Sequence, residues 1–465
     1  MSLLTTLQAA RRGIAVASEG INVVGHNTAN ATTEGFSKRT MSVTTMYPLY
    51  RNGVWLGQGP STPSFHRSAD AFIDQNMIGT AGAQKKSEEL YSVLSMVQGK
   101  LADGSGSSVL ETYRKFQEGM RKLSNDPEDP VLRDQLVMQA ETFTNSVNDV
   151  AEFLIDMKDS IREDMQTSIV HINDQLATVA NLNKRLKAAG GSVSQGDLQD
   201  QRDLVIKELA SVTGMTVRFD SNGQANVYMD GHVVVQEENY RAISYYEDSS
   251  GDPQLSLAAN AGGITITSLL GGKFGARTEA YAQVDSLLSD FNDWVTTFTN
   301  DFNAVHQTGF DQNGSTGLDF FSVSTISPAT SFSVDANLLL DSSLIAAGGA
   351  LNPLTGFPDA GDKDVLDLLI GLETSTGYGA TGVNTAREQL TNMFTDIATQ
   401  VRSAEDNYDM QTMRMEDIME LRNSVSGVNL DEEAVKLMEY QASYSAASRV
   451  ISVTNSLLGS LMEIV

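Results

Sequence analysis

The stretch NLDEEAVKLMEYQASYSAASRVISVTNSLLGSLMEIV, residues 429–465, decides how the whole chain is read. Asn429 is placed to cap a helix and Glu432, three residues on, to return the bond. Asp431, Glu432 and Glu433 suit the positive end of a helix dipole. From there Leu430, Leu437, Tyr444, Ile451, Leu458 and Val465 recur every seven residues. Tyr440, Ala447 and Leu461 fill intermediate positions, with Thr454 as a polar exception. Such a repeat predicts a helix that lies along another helix. Propensity alone leaves it marginal in water, so it needs a partner.

The other end of the chain supplies one. Leu3, Leu7, Ala10, Ile14, Ala17, Ile21 and Val24 step by four and three, the same seven-residue period. Gly13 and Gly20 interrupt the pattern, each costing about 1 kcal/mol of helix stability relative to alanine. The economical expectation is that the two ends pair with each other and with neighbouring subunits. Leu3, Leu7, Ile14, Ile21, Val24, Leu430, Leu437, Tyr440, Tyr444, Ala447, Ile451, Leu458 and Leu461 would form that assembly seam.

Inward from the ends, residues 40–70 read as extended or looped between Gly and Pro breakers. Helices are expected at about 69–101 and up to about 123. Asp129 is a plausible N-cap and Pro130 a first helical residue. The stripe from Leu132 to Leu186 then predicts a rod on the order of 80–90 Å, stopped at Gly190-Gly191. After a short helix over 197–212 the period changes to two. Val217/Phe219, Val227/Met229, Val233/Val235, Ile243/Tyr245 and Ile264/Ile266 alternate like strands, with Asn222-Gly223 and Asp230-Gly231 as hairpin turns. Helical pattern returns at 274–306 and 384–424.

The fold class expected is therefore α+β, mainly α. Residues 1–35 with 428–465 would pair in an inner coiled coil. Residues 36–213, 272–310 and 384–427 would form a long-helix bundle, and 214–271 a small antiparallel β outer domain. Residues 311–383 are mixed and glycine-rich.

Composition narrows the function. The 465 residues carry 32 Lys+Arg against 59 Asp+Glu, a net charge of −27, which disfavours nucleic acid and anionic membranes as partners. There is no cysteine, so disulfides, thiol nucleophiles and sulfur-bound zinc are excluded. The five histidines are scattered, with no metal-ligand spacing. Gly271-Gly272-Lys273 lacks both the first glycine and the Ser/Thr of a phosphate loop, Thr267 and Phe274 standing there. Asp311-Gln312-Asn313-Gly314 lacks a calcium loop's glycine and glutamate, and reads as a turn. No catalytic, cofactor or metal site is expected. Arg11-Arg12 before an apolar run mimics an export leader, but Glu19 within that run argues against one.

Asn27-Thr28-Ala29-Asn30-Ala31-Thr32-Thr33-Glu34-Gly35-Phe36-Ser37-Lys38-Arg39 resembles the N-terminal signature of the flagellar rod, hook and hook-associated axial proteins. Ser426-Gly427-Val428-Asn429-Leu430-Asp431-Glu432-Glu433, with Tyr440-Gln441 and Ala446 to Ile451, is similar to their C-terminal signature. Asp126 to Pro130, Asp200-Gln201-Arg202-Asp203, and His306 to Asp311 leading to Asp319-Phe320-Phe321 narrow the resemblance to the hook-associated members. It covers roughly residues 1–320 and 385–465.

The resemblance implies a structural subunit of the bacterial flagellum joining hook to filament, without catalysis or cofactor. Export would be unfolded, through the flagellar channel, with no cleaved leader. Partners implied are further copies in a helical ring, the hook protein, the next hook-associated junction protein, and an export chaperone at the C-terminal helix. Asn27, Asn30, Thr33, Gly35 and Phe36 would make the helix-ending turn of the axial core. The charge would then sit on outward faces, leaving both terminal seams nearly uncharged. The competing readings are another axial protein (hook or rod), a secreted wall hydrolase, or a coiled-coil adhesin.

Overall fold

The computed structural model describes residues 3–51, 53–102, 108–189, 193–220, 223–249, 251–257, 265–266 and 271–464. Gly190-Gly191, Asn222, Ile264, Thr267 and Val465, all invoked above, lie outside the described residues. The chain is mainly helical: α1 Leu3–Ala29, α2 Ala71–Leu101, α3 Val109–Asn125, α4 Pro130–Ala189, α5 Val193–Thr213, α6 Gly272–His306, α7 Ala336–Leu340, α8 Asp364–Gly371, α9 Ala386–Ser426 and α10 Leu430–Ile464. Among the described residues no helix is long and apolar enough to cross a membrane.

The long helix begins where its sequence says it should. Asp129 Oδ1 accepts from the backbone N–H groups of Val131 at 2.7 Å and Leu132 at 3.4 Å, and Pro130 opens α4 without wasting a donor. α4 runs unbroken for 60 residues. It contributes residues to both of the two compact units into which the chain divides.

One unit comprises Met1–Lys86, Ser168–Gly275 and Met410–Val465. Here α1 and α10 pack against each other, as the matching periods require. After α1 come β1 Arg39–Ser42, β2 Leu49–Arg51, β3 Val54–Leu56 and β4 Ser64–Arg67. β1 pairs antiparallel with β4, and β2 with β3. The period-two region forms β5 Thr216–Phe219, β6 Ala225–Met229, β7 His232–Gln236 and β8 Asn239–Tyr240 in one antiparallel sheet of that order. β9 Ser244–Glu247, β10 Pro253–Ser256 and β11 Thr265–Ile266 form a second. Asp230 (φ 47°) and Gly231 (φ 76°) are both left-handed, the backbone a two-residue hairpin needs between β6 and β7.

Two asparagines of α4 fasten these sheets. Asn183 Nδ2 donates to the carbonyls of Ala225 and Glu237, both at 2.8 Å, and its Oδ1 accepts from Ala225 N–H. Asn173 exchanges the same pair of bonds with Ile243. Gly271-Gly272 has a packing role: a Cβ at Gly272 would lie 2.6 Å from the backbone of Val212, Thr213 and Gly214. The close approach of the start of α6 to the end of α5 accounts for the glycines.

The other unit comprises Ser87–Thr167 and Ala276–Asp409. Its centre is aromatic. Trp294 stacks on Phe298 at 5.0 Å, and Tyr113, Phe116, Phe143, Phe302, Phe320, Phe321 and Phe332 close around them. Trp294 Nε1 donates to Ala386 O at 2.8 Å, satisfying the one polar atom of the indole. The glycine-rich stretch that resisted assignment is built into this core. Phe321–Ser322 pairs with Ser333–Val334, and Phe320, Phe321, Phe332, Val334 and Leu338 are buried. The calcium-like tetrapeptide is a turn, with Gly314 N–H bonded to Asp311 O at 3.1 Å and Asp311 Oδ1 accepting from Asn313 and Ser315.

Buried His306 holds part of this unit. Its Nδ1 lies 2.8 Å from Leu318 O and its Nε2 accepts from Ala346 N–H at 3.0 Å, so the tautomer carries its proton on Nδ1. Burial lowers its pKa below the usual value of about 6.5, and Arg133 adds to that, against Leu318 O, Asp319 and Asp311. A neutral ring is therefore favoured in the folded state. Its stabilisation is complete above about pH 6.5 and is lost as pH falls through the depressed folded value. Thermal unfolding followed from pH 7.5 to 5.5 should show a falling midpoint, and His306→Asn should flatten that slope. An unchanged slope would assign the acid sensitivity elsewhere.

Candidate functional site

The N-terminal signature, Asp200-Gln201-Arg202-Asp203 and the C-terminal signature converge on one place. α1 and α10 run antiparallel in constant register: Gly13 faces Ala447, Gly20 faces Tyr440, and Asn27 meets Glu433. Each step is seven residues on both helices, so the same face of each is kept in contact. Of the expected seam, Val24 is buried, while Leu3, Leu7, Ile14, Ile21, Leu437, Tyr440, Ala447, Ile451 and Leu458 are half-buried. Leu430 and Tyr444 are exposed, and the side chain of Leu461 lies outside the described residues.

The glycines of α1 serve this contact. A Cβ on Gly20 would sit 2.6 Å from Cδ1, Cε1 and Cζ of Tyr440. Alanine there would gain about 1 kcal/mol of helix propensity but meet an overpacking cost of about 1–3 kcal/mol. Gly20→Ala should thus be neutral to about 2 kcal/mol destabilising. In a Tyr440→Ala background, the same change should become stabilising. A denaturant-unfolding double-mutant cycle reads the sign change; stabilisation in both backgrounds would remove the steric account.

The seam carries one buried charge. Glu433 is 1% exposed at the first turn of α10. Asn27 Nδ2 donates to its Oε2 and to Arg39 O, both at 3.0 Å, while Asn27 Oδ1 accepts from Arg39 N–H at 2.9 Å. Lys436 Nζ reaches Glu433 Oε1 at 2.7 Å. One buried asparagine thereby ties α1, β1 and α10 together, and the Glu433 charge is tolerated because it is fully partnered. Asn429 Oδ1 accepts from Asp431 and Glu432 N–H, whereas the Glu432 side chain turns to Lys38 Nζ, 3.9 Å away.

The helix-ending turn is local. Asn30 Nδ2 donates to His26 O at 2.9 Å, Thr33 Oγ1 lies 3.3 Å from Asn30 Oδ1, and the Phe36 ring lies tilted against that of His26, centroids 5.5 Å apart. Gly35 has φ +77°, a left-handed backbone that glycine adopts freely. The chain then enters β1 beside four arginines and four aspartates. Arg39 Nη2 binds Asp200 Oδ2 at 2.6 Å and Asp197 Oδ1 at 2.9 Å, and its guanidinium lies over Phe36. Arg67 contacts Asp203 at 2.5 Å, Asp74 at 3.0 Å and Asp200 Oδ1 at 3.2 Å. Arg202 donates to Asp203 and to Gly223 O, and Arg422 to Gly35 O and Ser37 Oγ.

Burial works against the Arg67 charge, yet Asp203, Asp200 and Asp74 outweigh it and raise its pKa. Burial, with Asp203 and Asp200 nearby, raises Asp74 despite Arg67 and Arg422. Beside the network a cleft of about 210 Å³ is lined by Thr33, Gly35, Phe36, Leu204 and Met419 among others. Arg67, Asp74 and Arg422 were not foreseen, because partners as far apart in sequence as Arg67 and Asp203 leave no local pattern. Each carboxylate faces a guanidinium, so the arrangement clamps segments together.

Known families and proteins match this chain. The family described as "Flagellar hook-associated protein FlgK helical domain" matches residues 94–321, and "Flagellar basal body rod FlgEFG protein C-terminal" matches 422–464. Together they take in more than half of the chain. Flagellar hook-associated protein 1 of Salmonella typhimurium strain LT2 is 26% identical, the alignment covering 98% of this chain and 99% of that one.

The chain is similar to flagellar hook-associated protein 1 along nearly its whole length.

A further relative, from Bacillus subtilis strain 168, is 23% identical over 98% of this chain and 97% of its own. The solved hook junction protein FlgK of Burkholderia pseudomallei superposes with a TM-score of 0.64 at 13% identity. It covers 76% of this chain and 100% of its own, a likeness of fold. The helical-domain match is to a hook-associated protein, whereas the C-terminal match is to the rod-type description.

Proposed function

We propose that this chain is a structural subunit of the bacterial flagellum that joins hook to filament, assembled through its terminal helices. The observation that carries the reading is the α1–α10 pair, held in register by Gly20, Asn27 and Glu433 in a chain similar to hook-associated proteins. The role is mechanical. Copies would form a ring whose neighbours along the axis are the hook protein and the next hook-associated junction protein. The chain would leave the cell unfolded through the flagellar export channel, and a chaperone would cover the apolar α10 until then. With no cysteine it cannot form wrong disulfides on the way.

A deletion strain should make hooks without filaments by electron microscopy and lose motility. Complementation with a chain ending at Lys436 should fail, because α1 then loses its partner, while the β5–β8 sheet still folds. Normal filaments on that truncated chain would overturn the reading.

A further inference from the structure

The unit made of Ser87–Thr167 and Ala276–Asp409 has a cleft of its own, about 270 Å³ in volume. Phe310 and Pro358 give it apolar surface. Glu128, Asp311, Asp359 and Asp362 set four carboxylates there against one guanidinium, that of Arg133. Two of these charged side chains are buried, Arg133 at 2% exposed and Asp311 at 4%. Both line the cleft.

Each of the two has one polar atom committed to the fold and another left open. Arg133 spends Nε and Nη1 on the carbonyls of Pro127, Ser342, Ser343 and Ile345. Its Nη2 meets no acceptor among the described residues, yet it is not sealed from solvent. Asp311 spends Oδ1 on the N–H groups of Asn313 and Ser315. Its Oδ2 meets no donor among the described residues and is likewise open. The two charges feel each other, since Asp311 acts to raise the Arg133 pKa, but no hydrogen bond joins them.

A donor and an acceptor left open on buried side chains of one cleft call for something that fills both. Charge narrows what fits. An anion would meet four carboxylates for the one guanidinium it reaches. A metal ion would face that guanidinium, and among the described residues no group of three His, Asp or Glu is placed to hold one. A neutral group that accepts from Nη2 and donates to Oδ2 meets neither penalty, and a hydroxyl does both. Neighbouring hydroxyls on a ring would extend the pairing to Glu128 and Asp359, which are exposed at the rim. The C–H face of the same ring would lie on Phe310 and Pro358. At about 270 Å³ the cleft falls just under the range of about 300–1,000 Å³ usual for ligand sites, which suits a single ring. We infer that this cleft binds a neutral sugar ring, free or as one residue of a glycan chain.

The test is saturation-transfer NMR with calorimetry on the purified full chain, using the methyl glycosides of glucose, galactose, mannose and N-acetylglucosamine. At least one should bind saturably. The uronate and the 2-amino sugar of that ring, its anionic and cationic versions, should bind at least about tenfold more weakly. Asp311→Asn keeps Oδ1 for its turn but converts the open oxygen into a donor, so it too should weaken binding at least about tenfold. If that variant does not fold, Glu128→Ala with Asp359→Ala, both exposed, should still weaken binding at least about threefold. A trisaccharide that binds more tightly than its methyl glycoside supports the glycan chain, and equal affinities support the free sugar. Failure of all four rings to bind would leave the cleft to water and overturn the proposal. So would tighter binding of a charged version, binding of N-acetylglycinamide in place of the sugars, or affinity unchanged by the substitutions. The flagellar role is tested separately by the deletion strain.

Discussion

Replacing Asp200 by alanine should lower stability by about 3–5 kcal/mol, the range for removing one member of a buried ion-pair network. Asp200 holds two arginines at once, Arg39 through Oδ2 at 2.6 Å and Arg67 through Oδ1 at 3.2 Å, and also accepts from Ser37 N–H at 3.2 Å. The Arg39 side chain is 1% exposed and cannot turn to water when its partner goes. Four guanidiniums would then share three carboxylates inside the fold. Asp200→Asn keeps the shape and one acceptor but not the charge, so its loss should be intermediate. Asp197→Ala should cost no more than about 1 kcal/mol, since Asp197 is 40% exposed and its pair is screened. Denaturant unfolding of the three variants checks the order. Equal losses for Asp197→Ala and Asp200→Ala would show that burial does not set the cost. If Asp200→Ala does not fold, the Asp200→Asn and Asp197→Ala pair still decides it.

That prediction also marks where the sequence was legible. The periods of α1, α4 and α10, the Asp129 cap and the Asp230-Gly231 turn are local patterns, and each element formed where its pattern stood. Propensity alone makes the glycines of α1 weaknesses. Gly20 is instead a socket for Tyr440, a fact that belongs to two helices more than 400 residues apart. Glu433 was read as a dipole partner and is also a buried ligand of Asn27. The signature Asp200-Gln201-Arg202-Asp203 could be recognised, but not its purpose, because Arg39 and Arg67 arrive from a different part of the chain. Residues 311–383 carry no sustained period, since their order comes from burying Phe320, Phe321 and Phe332 against the helices of their unit. Non-local partners were invisible in every one of these cases.

The second large effect should come from Arg133→Met, a loss of about 2–4 kcal/mol from orphaning buried carbonyls. Arg133 is 2% exposed and is bonded to no carboxylate; its guanidinium serves the carbonyls of Pro127 and Ile345, both at 2.8 Å, and those of Ser342 and Ser343 at 3.4 Å. Burial lowers its pKa to about 10, with Asp311 and Glu128 partly opposing that, so it remains charged at neutral pH. Methionine removes the desolvation cost of the charge, which is why the loss stays below that of Asp200→Ala. It leaves two well-made carbonyl bonds unfilled, which is why the change is not neutral. The variant should also report on His306, whose Nε2 accepts from Ala346 N–H one residue beyond the Ile345 carbonyl that Arg133 holds. The Arg133 charge is among the causes that lower the His306 pKa. Without it the folded pKa of His306 should rise toward its unfolded value of about 6.5, narrowing the pH window over which protonation destabilises the fold. Arg133→Met should therefore be less stable than wild type at pH 7.5 and lose less again between pH 6.5 and 5.5. A loss of stability that leaves the acid slope unchanged would separate the two side chains, and restrict Arg133 to its carbonyls.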